Sequence, residues 1–295
     1  MATELAASTA TAPKERRFVI RRRDIGGLIA AILTATAIIA SFTADLWLPV
    51  DPNLQDLLGR LAPPFFLEGG STVHVLGTDE LGRDLFARTV VGGQVSFIVG
   101  LTVATVAGVI GIALGVLAGY RRGFMETLIM RFVDVQTAFP FLVIAIAIVS
   151  IVGASLRTII VTLIIYQWVP FARLAHAKTL TVKQLDYYRA AVAIGRKDLG
   201  IALRHVVPNI LPPLLVIWTF IVARSILAEA AMSFLGLGVP PPTPTWGGML
   251  SGGRGYLDSA WWIPIIPGVA VTLVVIGVNV VGDWLSKRWD PRASY

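Results

Sequence analysis

The sequence predicts an all-α membrane protein with six transmembrane helices. Three observations lead there. Of the 295 residues 55% are apolar, only 15% are charged, and the basic residues cluster in alternate connections. A soluble chain carries about 25% charged residues. With a mean hydropathy of +0.74 and long stretches free of charge, a soluble fold would need an implausibly thick core, so the bilayer is the solvent. No cysteine is present, which excludes a disulfide framework, a thiolate metal site and a thiol nucleophile.

A helix needs about 20 apolar residues to cross the hydrocarbon. In chain order the candidate runs are Ile25–Ala44, Val95–Tyr120, Ala138–Ala154, Thr158–Ala172, Ile210–Ala228 and Trp261–Leu285. The first follows Arg21–Arg23 and so has the outline of a signal peptide, but the run is too long for one and Phe42-Thr43-Ala44 is a poor cleavage site. The second contains Gly111, Gly115 and Gly119, whose four-residue spacing opens a groove where another helix can approach closely. The fourth is short and contains Pro170; the fifth holds Arg224, with Glu229 directly after its last apolar residue.

Orientation follows from Lys and Arg in the connections. The N-terminal tail holds Lys14, Arg16, Arg17, Arg21, Arg22 and Arg23, and the connection after the second run holds Arg121, Arg122 and Arg131. Arg173, Lys178, Lys183, Arg189, Arg196, Lys197 and Arg204 follow the fourth run, and Lys287, Arg288 and Arg292 follow the sixth. In a six-span chain these 19 of the 25 basic residues share one side, which places both termini in the cytoplasm. The basic tail is what this rule already predicts, so no nucleic-acid partner is expected.

Several kinds of chemistry are missing. No Gly-Lys dipeptide exists to build a Walker A loop. The three histidines, His74, His176 and His205, are too scattered for metal-ligand spacing, and no Gly-x-Ser-x-Gly elbow occurs. Only Arg224 and Glu229 carry charge well inside a run, whereas a proton-driven carrier usually shows several such groups. Energised transport would therefore need a partner that hydrolyses nucleotide.

The connection 173–209 is too long for a simple link and has helical periodicity. Leu185, Tyr188, Ala191, Ile194 and Leu199 fall near one face, interrupted by Gly195. Gly195 can close one short helix and Asp198 can cap the next. Ala190 and Ala191 have no bulk, so a partner's groove can close around such a knob. An amphipathic helix lying on the membrane surface is the other reading of this periodicity.

These residues resemble a known family. Tyr188-Arg189-Ala190-Ala191-Val192-Ala193-Ile194-Gly195, followed by Ile201, His205, Pro208 and Asn209, resembles the EAA loop of ABC importer permeases. Arg189 stands where the name-giving acid usually does, so no salt bridge of that acid is carried over. Gly77-Thr78-Asp79-Glu80-Leu81-Gly82-Arg83-Asp84, continuing to Arg88, Gly92 and Ser96, resembles the signature of the C-type permeases of dipeptide, oligopeptide and nickel importers. Glu229-Ala230-Ala231-Met232-Ser233-Phe234-Leu235-Gly236-Leu237-Gly238, then Pro241, Pro242, Pro244 and Trp246-Gly247, is similar to another segment of that group.

The resemblance implies a type I ABC importer permease fold. Residues 1–24 form a basic cytoplasmic tail, 25–46 the first transmembrane helix and 47–92 an extracytoplasmic segment. Residues 93–285 form the core, with the coupling loop at 173–209, and 286–295 a cytoplasmic tail. The implied partners are a second homologous permease, two cytoplasmic ATP-binding subunits and an extracytoplasmic substrate-binding protein, all in a cell inner membrane. This chain itself binds no cofactor and is not an enzyme; ATP and Mg belong to the partner subunits. The coupling set is Tyr188, Arg189, Ala190, Ala191, Gly195, Asp198, His205 and Pro208. Dipeptides, oligopeptides, nickel chelates and glutathione-like solutes all remain open as cargo. The alternative class is a self-contained secondary carrier or channel, against which the basic loop and scarce intramembrane carboxylates weigh.

Arg224 lies about 21 Å along the fifth run from Ile210, and Glu229 about 28 Å. Five residues turn a helix by about 140°, so the two do not share a face. Each finds a partner on another helix, Arg83 and Arg88 being candidates, or faces an aqueous path. The favoured expectation pairs Glu229 across the two permeases to hold an outer gate shut. Pro240, Pro241, Pro242 and Pro244 stiffen the segment after Gly236 toward an extended form. It is expected to project from the membrane face, with Trp246 at the gate and Trp261 and Trp262 in an interfacial aromatic belt.

Overall fold

The structure, a computed structural model, describes residues 25–194 and 198–289; the tails 1–24 and 290–295, with Gly195, Arg196 and Lys197, lie outside the described residues. Among the described residues five helices are long and apolar enough to cross a membrane. They are α1 (Ile25–Phe42), α3 (Leu85–Arg121), α6 (Leu156–Val182), α9 (Val207–Phe234) and α11 (Trp262–Trp289). The short α2 (Ala44–Trp47) follows α1, and α4 (Phe124–Ala138) and α5 (Phe141–Val152) form a pair bent by 89°. Between α6 and α9 stand α7 (Asp186–Ala193) and α8 (Asp198–Ile201); α10 (Trp246–Gly253) precedes α11.

The third expected span, Ala138–Ala154, is not one straight helix. Pro140 has no N–H and pushes the residue before it out of the helical region, and Phe139 is extended at φ −99°, ψ 135°. What remains, α5, has 12 residues and rises about 18 Å, too short to cross alone. The sixth span is therefore the broken pair α4–α5.

Two other spans are longer than their apolar runs. Helix α3 begins ten residues before Val95, because the Asp84 side chain accepts the Ala87 N–H at 2.7 Å and caps it. Inside that added stretch Gln94 Nε2 donates to Ser41 O at 2.7 Å, so its amide is bonded to the end of α1. Helix α6 continues past Ala172 to Val182 with Pro170 inside it. A proline removes the donor that would serve the carbonyl four residues earlier, here Tyr166 O. Gln136 Nε2 of α4 donates to that carbonyl at 3.1 Å, while Gln136 Oε1 accepts from Trp168 Nε1 at 2.9 Å. In lipid a freed backbone group has to find such a partner within the protein.

The glycine spacing on α3 does what the sequence expects. A Cβ at Gly111 would meet Trp168 O, at Gly115 Ala172 O, and at Gly119 the Thr179 Cβ at 2.8 Å. Residue numbers rise together along both helices, so α3 and α6 run parallel with their backbones in close approach. Helix α9 runs antiparallel to α3, with Gly100 against Ile226. Helix α1 lies outside, antiparallel to α11, with Gly27 against Trp284 and Gly277 against Thr34. One end of the bundle thus holds the C-termini of α3, α6 and α11 together with α7 and α8, and is rich in Lys and Arg. The other, acidic end holds residues 43–84 and α10.

The Gln136 bridge is testable. Gln136→Leu leaves Tyr166 O without its donor and should destabilise the protein by about 1–3 kcal/mol. Pro170→Ala restores an N–H at that carbonyl, so the double variant should recover part of the loss in a thermal melt. A double variant no more stable than Gln136→Leu would exclude the bridge.

Candidate functional site

At the acidic end the segment Gly77–Asp84 is a compact turn, and each polar residue in it has a structural partner. Thr78 Oγ1 donates to Gly59 O at 2.6 Å and accepts from Ala62 N at 2.8 Å. Asp79 accepts the N–H groups of Leu81 and Arg83 at 2.9 and 3.0 Å, and Arg83 Nε at 2.7 Å. Gly82 has φ +73°, and a side chain there would strike Asp56 O. Gly77 has φ +80° and would meet Ala62 O. Asp84 caps α3 with one oxygen and meets His74 Nδ1 at 2.9 Å with the other. Buried Arg88 lies 3.4 Å from Asp79 through Nε, while its NH1 donates to Pro52 O and Asn53 Oδ1 at 3.0 and 3.2 Å. The signature residues build the cap of α3 rather than a reactive site.

On α9 the two charges part as their 140° spacing requires. Arg224 is exposed on a face shared with Phe220, Leu227, Ala231 and Phe234, spaced by three or four residues. It makes no salt bridge among the described residues. Glu229 is 0% exposed. Its carboxyl accepts from Ser96 Oγ of α3 at 2.8 Å and from Ser233 Oγ at 2.7 Å. Arg83 and Arg88 are both engaged with acids of the signature turn, so neither is its partner. Glu229 clasps α9 to α3 within this chain.

The segment after Gly236 does not project as expected. It folds back as α10, where a Cβ at Gly247 would strike Ala230 O, and Thr245 Oγ1 accepts Gly248 N to cap the helix. Trp246 is 3% exposed, donates from Nε1 to Thr89 O at 2.7 Å and packs edge-on against Phe97. Trp262 is buried as well and donates to Thr78 O at 3.3 Å, whereas Trp261 is exposed as a belt residue would be. Between this segment and the signature turn lies a cavity of about 420 Å³, walled by Asp79, Glu80, Arg83 and Arg88 on one side and Pro240 and Pro241 on the other.

At the basic end α7 splits into two faces. Tyr188 and Ala191 are buried against Val182, Ile201, Val206 and Ile210 of the chain's own core. Ala191 is therefore not on the free side of the knob. Asp186, Arg189, Ala190 and Ala193 are exposed, flanked by Tyr187 and by Ile194, which is 73% exposed. Tyr187 lies 6.3 Å from the His205 ring, and His205 O accepts from Asn209 Nδ2 at 2.8 Å. Pro208 is exposed near the start of α9. Gly195 and the side chain of Asp198 lie outside the described residues. Reading the sequence alone missed Tyr187 as a flank of this face and missed Gln136 altogether. Pro170 was the one signal that a donor had to exist somewhere.

The clasp on α9 predicts how its variants behave. Ser96→Ala removes one donor from a buried carboxyl and should lower the melting stability of the assembled protein by about 1–3 kcal/mol. Added to Glu229→Leu, the same change should cost much less, because the acceptor has already gone. Strict additivity of the two losses would exclude the clasp.

Three comparisons bear on this geometry. Residues 111–295 match the family described as binding-protein-dependent transport system inner membrane component. A di/tripeptide transport system permease protein of Pseudomonas aeruginosa is 38% identical over 276 residues, covering 93% of this chain and 90% of that one. A glutathione transport system permease protein of Pectobacterium atrosepticum is 37% identical over 278 residues, covering 94% and 89%. In fold, the chain matches one from the MetNI methionine ABC transporter in an inward-facing conformation, with a TM-score of 0.56, 19% identity, and coverage of 69% of this chain and 95% of that one. An exposed knob at the basic end and a capped α3 at the other thus sit on a multi-pass inner-membrane scaffold, and the chain belongs to the family of binding-protein-dependent inner-membrane components, the permeases of ABC importers.

Proposed function

We propose that this chain forms one half of the passage through which an ATP-driven importer moves short peptides or a related small solute. The observation that carries the peptide reading is the 38% identity to a di/tripeptide permease along nine-tenths of both chains. A second, homologous permease supplies the other half. Two ATP-binding subunits dock at the basic end and hold the ATP and Mg, so hydrolysis is not the work of this chain. A substrate-binding protein delivers the solute at the acidic end.

In this reading the exposed face of α7 is the docking surface: Arg189, Ala190, Ala193 and Ile194 meet the ATPase, while Tyr188 and Ala191 hold the helix to the permease. His205 and Pro208 support the base of the knob, and Gly195 and Asp198 complete the coupling set in the sequence between α7 and α9. Arg224 lines the passage, because an exposed cation deep in a membrane helix persists only where it meets water or a counter-charge. Glu229 and Trp246 serve the outer gate indirectly by holding α9 and α10 to α3. The core spans 93–285, with 25–46 outside it, and the tails 1–24 and 286–295 are cytoplasmic together with the loop 173–209.

Reconstitution with ATP-binding subunits and binding protein should give dipeptide uptake that requires ATP inside the docking compartment; uptake indifferent to ATP would overturn the importer reading. Ala190→Trp should lower ATPase recruitment by about tenfold or more, as loss of an interface hot spot does. Full recruitment by that variant would remove α7 from the interface. For orientation, Leu58 is fully exposed at the acidic end and Ile194 is exposed at the other. In intact cells Leu58→Cys should react with an impermeant thiol reagent and Ile194→Cys should not; the opposite pattern would invert the chain.

A further inference from the structure

A lysine at the end of α6 ties the segment that carries α7 to the end of α3. Lys183 is the C-cap of α6, three residues before α7 begins. Its Nζ donates to Gly119 O at 3.2 Å and to Tyr120 O at 2.9 Å, and lies 5.2 Å from the centre of the Tyr120 ring. Gly119 and Tyr120 are in the last turn of α3, where carbonyls have no intrahelical donors and the helix dipole favours a cation. The chain leaves α3 abruptly there: Arg122 has φ +40° and Gly123 φ +74°. The following residues therefore do not continue the helix, and the ammonium takes the place of the missing donors.

The close approach of the two helices is what brings this about. A Cβ at Gly119 would press on Thr179 of α6, and Lys183 stands one turn beyond Thr179. Where the backbones touch at Gly111, Gly115 and Gly119, apolar packing holds the pair. Past Gly119 the ammonium adds a polar tie to the apolar packing that Tyr120 and Val182 continue.

We infer that Lys183 is a positioning residue for energy coupling: it locks the ends of α3 and α6 so that a load applied to α7 moves both helices as one body. This rests on the proposed docking of ATP-binding subunits at α7. Without the ammonium, a displacement of α7 still reaches the last turn of α6 and, through Tyr188 and Ala191, the start of α9, but the end of α3 loses its polar tie to that movement. Hydrolysis then continues while transport falls.

The test uses the whole reconstituted complex and measures solute taken up per ATP hydrolysed. Lys183→Met keeps the apolar stem and removes the charge. It should assemble and hydrolyse ATP as the unmodified chain does, while uptake per ATP falls by about fivefold or more, the range expected for loss of a coupling contact. Lys183→Arg retains a cation that reaches the same carbonyls and should restore most of the ratio. An unchanged ratio in Lys183→Met, or an Arg variant as poor as the Met variant, overturns the inference. A second route avoids any dependence on yield. The chain has no cysteine, so Tyr120→Cys with Lys183→Cys can be bridged by a short bifunctional thiol reagent, with the reagent-treated original complex as control. Bridging should raise uptake per ATP in the same preparation; no rise overturns the lock. Absence of any ATP-driven uptake by the original complex overturns the import reading instead, whatever the Lys183 variants do.

Discussion

Between Gly111 and Gly119 the α3 backbone lies so close to α6 that a single methyl group would strike Trp168 O or Ala172 O, and the position of every other functional element follows from that contact. Parallel helices cannot be joined by a short turn, so the chain has to return across the membrane between them, which is the task of the broken pair α4–α5. With α3 and α6 fixed, α9 fills the groove beside Gly100, and α7 hangs from the end of α6 at the side where both helices finish. Lipid offers no hydrophobic drive for helix association, so such contacts depend on close van der Waals packing. A side chain at any of these glycines would widen the gap along the whole pair.

A second constraint runs through the same helices. At four interruptions of the apolar pattern a polar group from a distant part of the chain supplies the partner. Gln136 serves the carbonyl freed by Pro170, Ser96 serves Glu229, Thr89 O receives the Trp246 indole, and Ser41 O receives Gln94. These partners are 30 to 157 positions apart in sequence. Each joins two helices, so each polar group stabilises the packing while avoiding the cost of burying it alone.

This explains which features could be read from the sequence. The six-span plan, the glycine groove, the division of Arg224 from Glu229 onto different faces and the knob between α6 and α9 all follow from local periodicity, which a single sequence displays. The break at Pro140 was also local, but a window of apolar residues outweighed the pre-proline rule, and the third span was drawn straight through it. What was not legible depended on partners. Nothing near Glu229 says that Ser96 lies 133 positions away beside it. Nothing in a run of prolines after Gly236 says that α10 tucks back beneath Ala230. The two faces of α7 were half legible: the spacing of Tyr188 and Ala191 was right, but periodicity alone does not say which face meets the chain's own core.

Helix α3 is held at both ends by groups that come from outside it. The signature turn caps its start through Asp84, and Lys183 caps its finish. Between them Ser96 clasps Glu229 on α9, about three turns along the helix. A rod with held ends and a lateral clasp can carry a displacement between the two ends of the bundle, and α6, continuous through Pro170 with its freed carbonyl served by Gln136, lies along it. With the lock inferred for Lys183, the path from the knob to the acidic end includes α3, although α7 is covalently attached to α6. The two caps and the clasp are the places where a force along α3 would otherwise be lost to fraying or sliding.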